Sequence, residues 1–148
     1  WVPNAGPSFF FGSGPSADNT TGTISGKYAM TQWIGGGNTD TDIDIETPWI
    51  DLSGSAQPEL DFAHHMFGNQ IDKLEVLVKK ADGTTAIVNT IIGQQQTAKT
   101  DAWLLKNINL SAYTSDTVKI IFRGYRTSGG FNASIGIDDV TIQDVFQR

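Results

Sequence analysis

Asp72-Lys73-Leu74-Glu75-Val76-Leu77-Val78-Lys79-Lys80 runs into Ala81-Asp82-Gly83, and Thr85-Ala86-Ile87-Val88-Asn89-Thr90-Ile91-Ile92 follows. Leu74, Val76 and Val78 alternate with Lys73, Glu75 and Lys79. A period of two sends one set of side chains to a core and the other to water, which is the pattern of a half-buried strand. Asp-Gly between two such runs supplies tight-turn chemistry, so the stretch predicts a β-hairpin.

Neighbouring segments follow the same pattern. In Pro58 to Phe67, Leu60, Phe62, His64 and Met66 share a face; in Thr117 to Arg123, Val118, Ile120 and Phe122 do. Lys27 to Trp33, Thr41 to Ile50, Ala102 to Leu110 and Ala133 to Ile142 have the same character. No segment holds a 3.6-residue period over a helical length. Strands separated by turns every 8–12 residues predict an all-β chain: an antiparallel β-sandwich of jelly-roll type with about eight or more strands. The 148 residues suit one domain over 1–148. Gly6-Pro7 and Gly14-Pro15 argue against helix in the first 25 residues. Ser8-Phe9-Phe10-Phe11 between them reads as a strand or a buried loop anchor.

Composition excludes several function classes. The net charge is -6 and the pI about 4.6, so the surface repels phosphate and no nucleic-acid partner is expected. Without cysteine there is no disulfide, thiolate metal site or thiol nucleophile. No apolar run is long enough for a membrane span. If the protein is secreted, its signal lies outside this sequence. No Gly-x-Ser-x-Gly elbow, His-Glu-x-x-His pair or phosphate loop is present, so no enzyme is expected, although the parent protein can be one. Glycosidase-type paired carboxylates are not excluded by spacing.

Two segments look like more than scaffold: Gly14-Pro15-Ser16-Ala17-Asp18-Asn19-Thr20-Thr21-Gly22 and Ile135-Gly136-Ile137-Asp138-Asp139-Val140. In the second, the apolar phase slips between Ile137 and Val140. Either a bulge at Asp138-Asp139 returns the later residues to the core, or the strand is buried on both sides. A bulge would also splay two adjacent carboxylates, which a regular strand sends to opposite faces. The ordinary role of Asp18, Asp138 and Asp139 is turn chemistry.

These segments resemble the MAM domain (meprin, A5 protein, receptor phosphatase mu). Gly14 to Gly22 followed by Gly26-Lys27-Tyr28 resembles its first motif, and Ile135 to Val140 its closing one. Thr47-Pro48 before Ile50-Asp51-Leu52-Ser53, His65-Met66-Phe67-Gly68 before Leu74-Glu75-Val76, Gly93-Gln94-Gln95, Trp103 and Phe122 also fall in family order. The resemblance runs from about Gly14 to Ile142.

It implies a secreted, extracellular, non-catalytic module for adhesion or protein association, in a multidomain protein. Such modules also accompany secreted microbial enzymes, so a carbohydrate-binding module of a polysaccharide-degrading enzyme is the alternative. The partner would be a protein or a glycan on a cell surface or matrix. The resemblance also implies a structural cation near the joined first and last motifs, with Asp18 and Asp139 as ligands and Asp138 as a further candidate. Calcium suits such hard oxygen donors. The chain departs from the family in lacking the cysteines of animal members. It also begins at Trp1, where the family has an acidic strand upstream, so a truncated first strand and an incomplete ion site are expected.

For sugar recognition, flat rings are required, and Trp33, Trp49 and Tyr125 are the candidates. Exposed and coplanar, they would favour a glycan; buried, they would favour a protein partner or a spacer. Asp40-Thr41-Asp42-Ile43-Asp44 lacks the later Gly and Glu of a calcium loop and reads as a solvated strand face. His64 and His65 point to opposite faces of a strand and cannot chelate one ion, and His64 is expected as a hydrogen-bonded core residue.

Overall fold

Alternation fixes the strands, and their pairing makes two antiparallel sheets. The computed structural model describes residues 1–9, 12–33, 42–127 and 131–145. Within them lie ten strands: β1 (Val2–Ala5), β2 (Lys27–Met30), β3 (Asp42–Glu46), β4 (Ile50–Asp51), β5 (Pro58–Met66), β6 (Ile71–Lys80), β7 (Thr85–Ile92), β8 (Leu104–Asn109), β9 (Thr117–Arg126) and β10 (Ile135–Asp144). One sheet has the order β1-β2-β10-β5-β8; the other has β3-β9-β6-β7, with β4 also on β9. The expected antiparallel jelly-roll sandwich is the fold, and among the described residues neither sheet closes on itself.

All the expected strands form, with changes at their ends. The segment expected from Thr41 to Ile50 divides at Thr47-Pro48-Trp49, where proline has no N–H for a ladder. Thr41 itself, Asp40 and the glycine turn before them lie outside the described residues. Val2–Ala5 is a short first strand that the residue pattern itself did not mark. Phe9 is exposed rather than a buried anchor, and Phe10 and Phe11 lie outside the described residues.

One hydrophobic cluster draws on both sheets. Leu60, Phe62 and Met66 on β5 and Ile135 and Ile137 on β10 face Leu74, Val76 and Val78 on β6 and Val118, Ile120 and Phe122 on β9. Phe62 and Phe122 meet edge-to-face at 5.0 Å. Each such side chain contributes roughly 1.5–3 kcal/mol by leaving water. A second apolar layer covers the other side of the first sheet. Tyr28, Met30 and His65 are buried there, and the Trp103 ring packs on Tyr28 and His65 at 5.5 and 5.6 Å. Gly136 makes this approach possible, since a Cβ there would lie 2.9 Å from the Trp103 ring. This layer holds the loops of residues 12–26 and 93–103 against the sheet, and so fixes the place of Asp18.

Candidate functional site

The phase slip in the last strand is a bulge. Asp138 pairs with Ala63, and the next paired residue, Thr141, stands opposite Asp61, so β10 carries one residue more than β5. Asp139 absorbs the extra residue with a φ of 51°, a left-handed conformation that Asp tolerates better than most side chains. The bulge returns Ile142 to the core side, where it packs against the main cluster. Val140 does not follow it and is exposed, a correction to the expectation that all four apolar residues share the core.

The bulge also turns both carboxylates toward the 18–23 loop. Asn19 donates its backbone N–H to Asp138 Oδ2 at 2.9 Å and its side-chain Nδ2 to Asp139 Oδ2 at 2.8 Å. The Thr20 hydroxyl donates to Asp139 Oδ1 at 2.5 Å and lies 3.4 Å from Asp138 Oδ2. Two negative groups therefore converge on one hydroxyl. The Asp139 N–H bonds Asp138 Oδ1 at 2.8 Å and fixes their relative orientation.

Asp18 joins the same loop but turns inward. Its carboxylate accepts the Thr21 N–H at 2.8 Å, the Thr21 hydroxyl at 2.7 Å and the Thr23 N–H at 3.2 Å. It is 3% exposed. Burial pushes its carboxyl up, but the bonds from Thr21 and Thr23 outweigh that and hold it below its ordinary value. Gly26 lies against it: a Cβ there would fall 2.0 Å from Asp18 Cγ. Asp18 thus orders the loop that delivers Asn19 and Thr20 to the bulge. Among the described residues, no three His, Asp or Glu side chains converge in a metal-ligating group.

Beside the bulge, a cleft of about 460 Å³ opens between the two sheets. Trp1, Ala29, Ile45, Phe122 and Ile137 line its apolar walls, and Asp138 and Asp139 lie at its edge. The Trp1 indole is fixed across the sheets by donating to Ile43 O at 3.1 Å.

The aromatic candidates do not form one surface. Trp33 is 3% exposed; its indole N–H donates to Ala133 O at 3.3 Å, and the Arg126 guanidinium sits 4.5 Å over its ring. Trp49 is 47% exposed, with Lys119 Nζ 5.2 Å over the ring. Tyr125 carries Lys73 Nζ at 4.4 Å and donates its hydroxyl to Glu75 at 2.9 Å. Lys119, which covers Trp49, and Tyr125 lie six positions apart on β9, so at ~3.3 Å per residue the strand positions beside the two rings are roughly 20 Å apart. Asp42 and Asp44 form the expected solvated face, with Asp44 held by Arg123 at 2.7 and 2.8 Å. His64 is buried in the core as expected, but among the described residues its Nδ1 has no hydrogen-bond partner, which differs from the hydrogen-bonded residue expected.

The family model of the MAM domain, meprin/A5/mu, matches residues 1–145. The chain belongs to the MAM family. Solved structures similar to this MAM domain include the K3 cleaved-adhesin domain of Lys-gingipain from Porphyromonas gingivalis. That likeness has 17% identity and a TM-score of 0.57, over 97% of this chain and 91% of that one. A family 16 carbohydrate-binding module is similar at 15% identity and a TM-score of 0.54, over 93% and 89% of the chains. An exo-β-agarase matches at 13% and 0.61, over 98% of this chain but 23% of its own. At such identities the likeness shows the shared fold alone.

Sequence reading missed several residues that build the site. Asn19 and Thr20, rather than Asp18, reach the bulge. Gln96, 3% exposed, accepts the Met66 N–H at 2.6 Å and donates to His64 O and Ala102 O, tying the 93–103 loop to β5. Trp103 donates to Ala17 O at 3.0 Å and anchors the loop that carries Asp18. The Asn-Thr-Thr run beside Asp18 was the available signal for the first of these, since short polar side chains bond backbone and carboxylate readily.

Proposed function

We propose that this MAM domain is a non-catalytic module for adhesion or protein association in a secreted multidomain protein, and that its partner is a protein rather than a glycan. The observation that carries this reading is the dispersal of its aromatic candidates: Trp33 is buried, and Trp49 and Tyr125 are far apart, each with a lysine over its ring. Stacking on a sugar chain needs adjacent open rings. The resemblance to an adhesin domain supports the same choice; the carbohydrate-binding neighbour is the reason to test the other. A glycan array and affinity electrophoresis in soluble polysaccharides are expected to show no binding. Surface plasmon resonance against purified matrix and cell-surface proteins is expected to show saturable binding. Saturable polysaccharide binding that disappears in Trp49→Ala would instead establish the carbohydrate-binding reading.

A structural calcium ion belongs to the same proposal. Asp138 and Asp139 converge on the Thr20 hydroxyl, and two like charges so placed favour a bound cation. The hard oxygens of these residues fit calcium. Asp18 already accepts three bonds from Thr21 and Thr23, which makes it the weaker of the three candidate ligands. Bound to the folded chain alone, the ion would raise its stability by linkage. Millimolar calcium is expected to raise the melting temperature of the wild type but not of Asp139→Asn. Equal melting temperatures in calcium and in chelator would remove the ion from the reading.

A further inference from the structure

We infer that the free edge of β7 is a self-association surface, on which the same strand of a second copy pairs antiparallel to join two sheets into one. This does not rest on the adhesion reading. Among the described residues, β7 ends its sheet and pairs only with β6. It contains no charged residue and no proline, two of the features that keep an edge strand from pairing. Ile87 and Ile92 on it are 56% and 75% exposed.

A bulge makes the strand complementary to itself. Val76 pairs with Asn89 and Leu77 with Ile87, so Val88 is the extra residue. Val88 packs toward the core beside Asn89, opposite Val76 on the inner face. Thr85, Ile87, Thr90 and Ile92 pair with the outward-facing Lys79, Leu77, Glu75 and Lys73, while Ala86, Val88, Asn89 and Ile91 face inward. Read in either direction, this order of outer and inner positions is the same. An eight-residue strand with strict alternation would place outer residues against inner ones in a full antiparallel overlap. With the bulge, a two-fold axis between Val88 and Asn89 sets Ile87 against Thr90 and Thr85 against Ile92 of the second copy, every face preserved.

Backbone direction agrees. Lys80 N–H bonds Thr84 O at 2.8 Å and Gly93 N–H bonds Asp72 O at 2.7 Å, so Thr84 and Gly93 point toward β6. By alternation from each end, the amides of Thr85, Ile87, Thr90 and Ile92 point away from it, and these are the residues that the two-fold sets opposite one another. Gln95 Nε2 bonds Ile92 O at 2.9 Å, so in the dimer this side chain shares that carbonyl with the Thr85 amide of the second copy or swings away from it. Without charge on the strand, two copies meet with no like-charge repulsion along the seam. The isologous contact closes at two subunits.

The test uses the full chain. Sedimentation equilibrium from micromolar to millimolar concentration should show reversible passage from monomer to dimer. Ile87→Lys with Ile92→Lys should raise the dimer dissociation constant at least tenfold at an unchanged melting temperature, because both side chains already stand in water. The cysteine-free sequence allows a register test. Ile87→Cys mixed with Thr90→Cys should form the mixed disulfide faster than either protein forms its own, since directly opposed residues lie about 5.5 Å apart at Cα, within disulfide reach. A chain that stays monomeric at millimolar concentration overturns the inference. So does a dimer indifferent to the two lysines, or a mixed disulfide no faster than the self-disulfides.

Discussion

Lowering the pH from 7 to 5 should destabilise this MAM domain mainly through His64 and His65, the two groups with the largest shifts in that range. Both rings are buried. Burial, with Lys106 and His65 nearby, lowers His64 from 6.5 to about 4. Burial likewise lowers His65 to about 4, with Asp101 opposing the shift and Lys99 adding to it. The folded pKa values lie below the unfolded ones, so between pH 6.5 and 4 the unfolded chain binds protons that the folded chain refuses. Stability is full above about pH 7, falls through this window and levels off below about 4. At pH 5 the linkage relation gives roughly 2 kcal/mol per ring as an upper figure. Asp18, Asp51, Asp82 and Asp101 are held below their ordinary value of 3.8, so their contribution is lost only at lower pH. Urea unfolding at pH 7, 6 and 5 measures the loss. Leucine at either position removes the titrating group, and His64→Leu and His65→Leu should each flatten the profile by about half. A wild type equally stable at pH 7 and 5, or leucine variants with its full pH dependence, would refute the buried-neutral account of these rings.

Gly26→Ala should lose about 1–3 kcal/mol by urea unfolding, because the new methyl group meets the Asp18 carboxylate and either it or the loop must move. Phe62→Ala should cost about 3–5 kcal/mol in the same assay, since it empties the edge-to-face contact with Phe122 at the centre of the sandwich. Arg123→Ala should cost under about 1 kcal/mol, and less still in molar salt, because its pair with Asp44 is solvent-exposed.

Much of this molecule was legible before its three-dimensional arrangement. The strands around Leu74, Phe62 and Ile120 followed from alternation, because one buried face imposes a period of two. The bulge at Asp138-Asp139 was one of two readings of a broken alternation. What escaped were contacts between residues distant in sequence: Asn19 and Thr20 on the bulge, Gln96 on β5, and Trp103 over Gly136. The burial of Trp33 was one of the two placements left open for it, since a tryptophan next to a glycine-rich turn can pack inward or stand in solvent.

The sequence by itself determined the all-β class, the principal strands, the acidic cysteine-free surface and the family, because alternation, composition and motif order are local properties. Only the tertiary structure decided that Asp18 serves its own loop while its neighbours reach the two carboxylates, that the aromatic rings are scattered, and that β7 is an edge. Each of these depends on which strands become neighbours, and strand neighbours are chosen by the burial of a whole core rather than by any one segment.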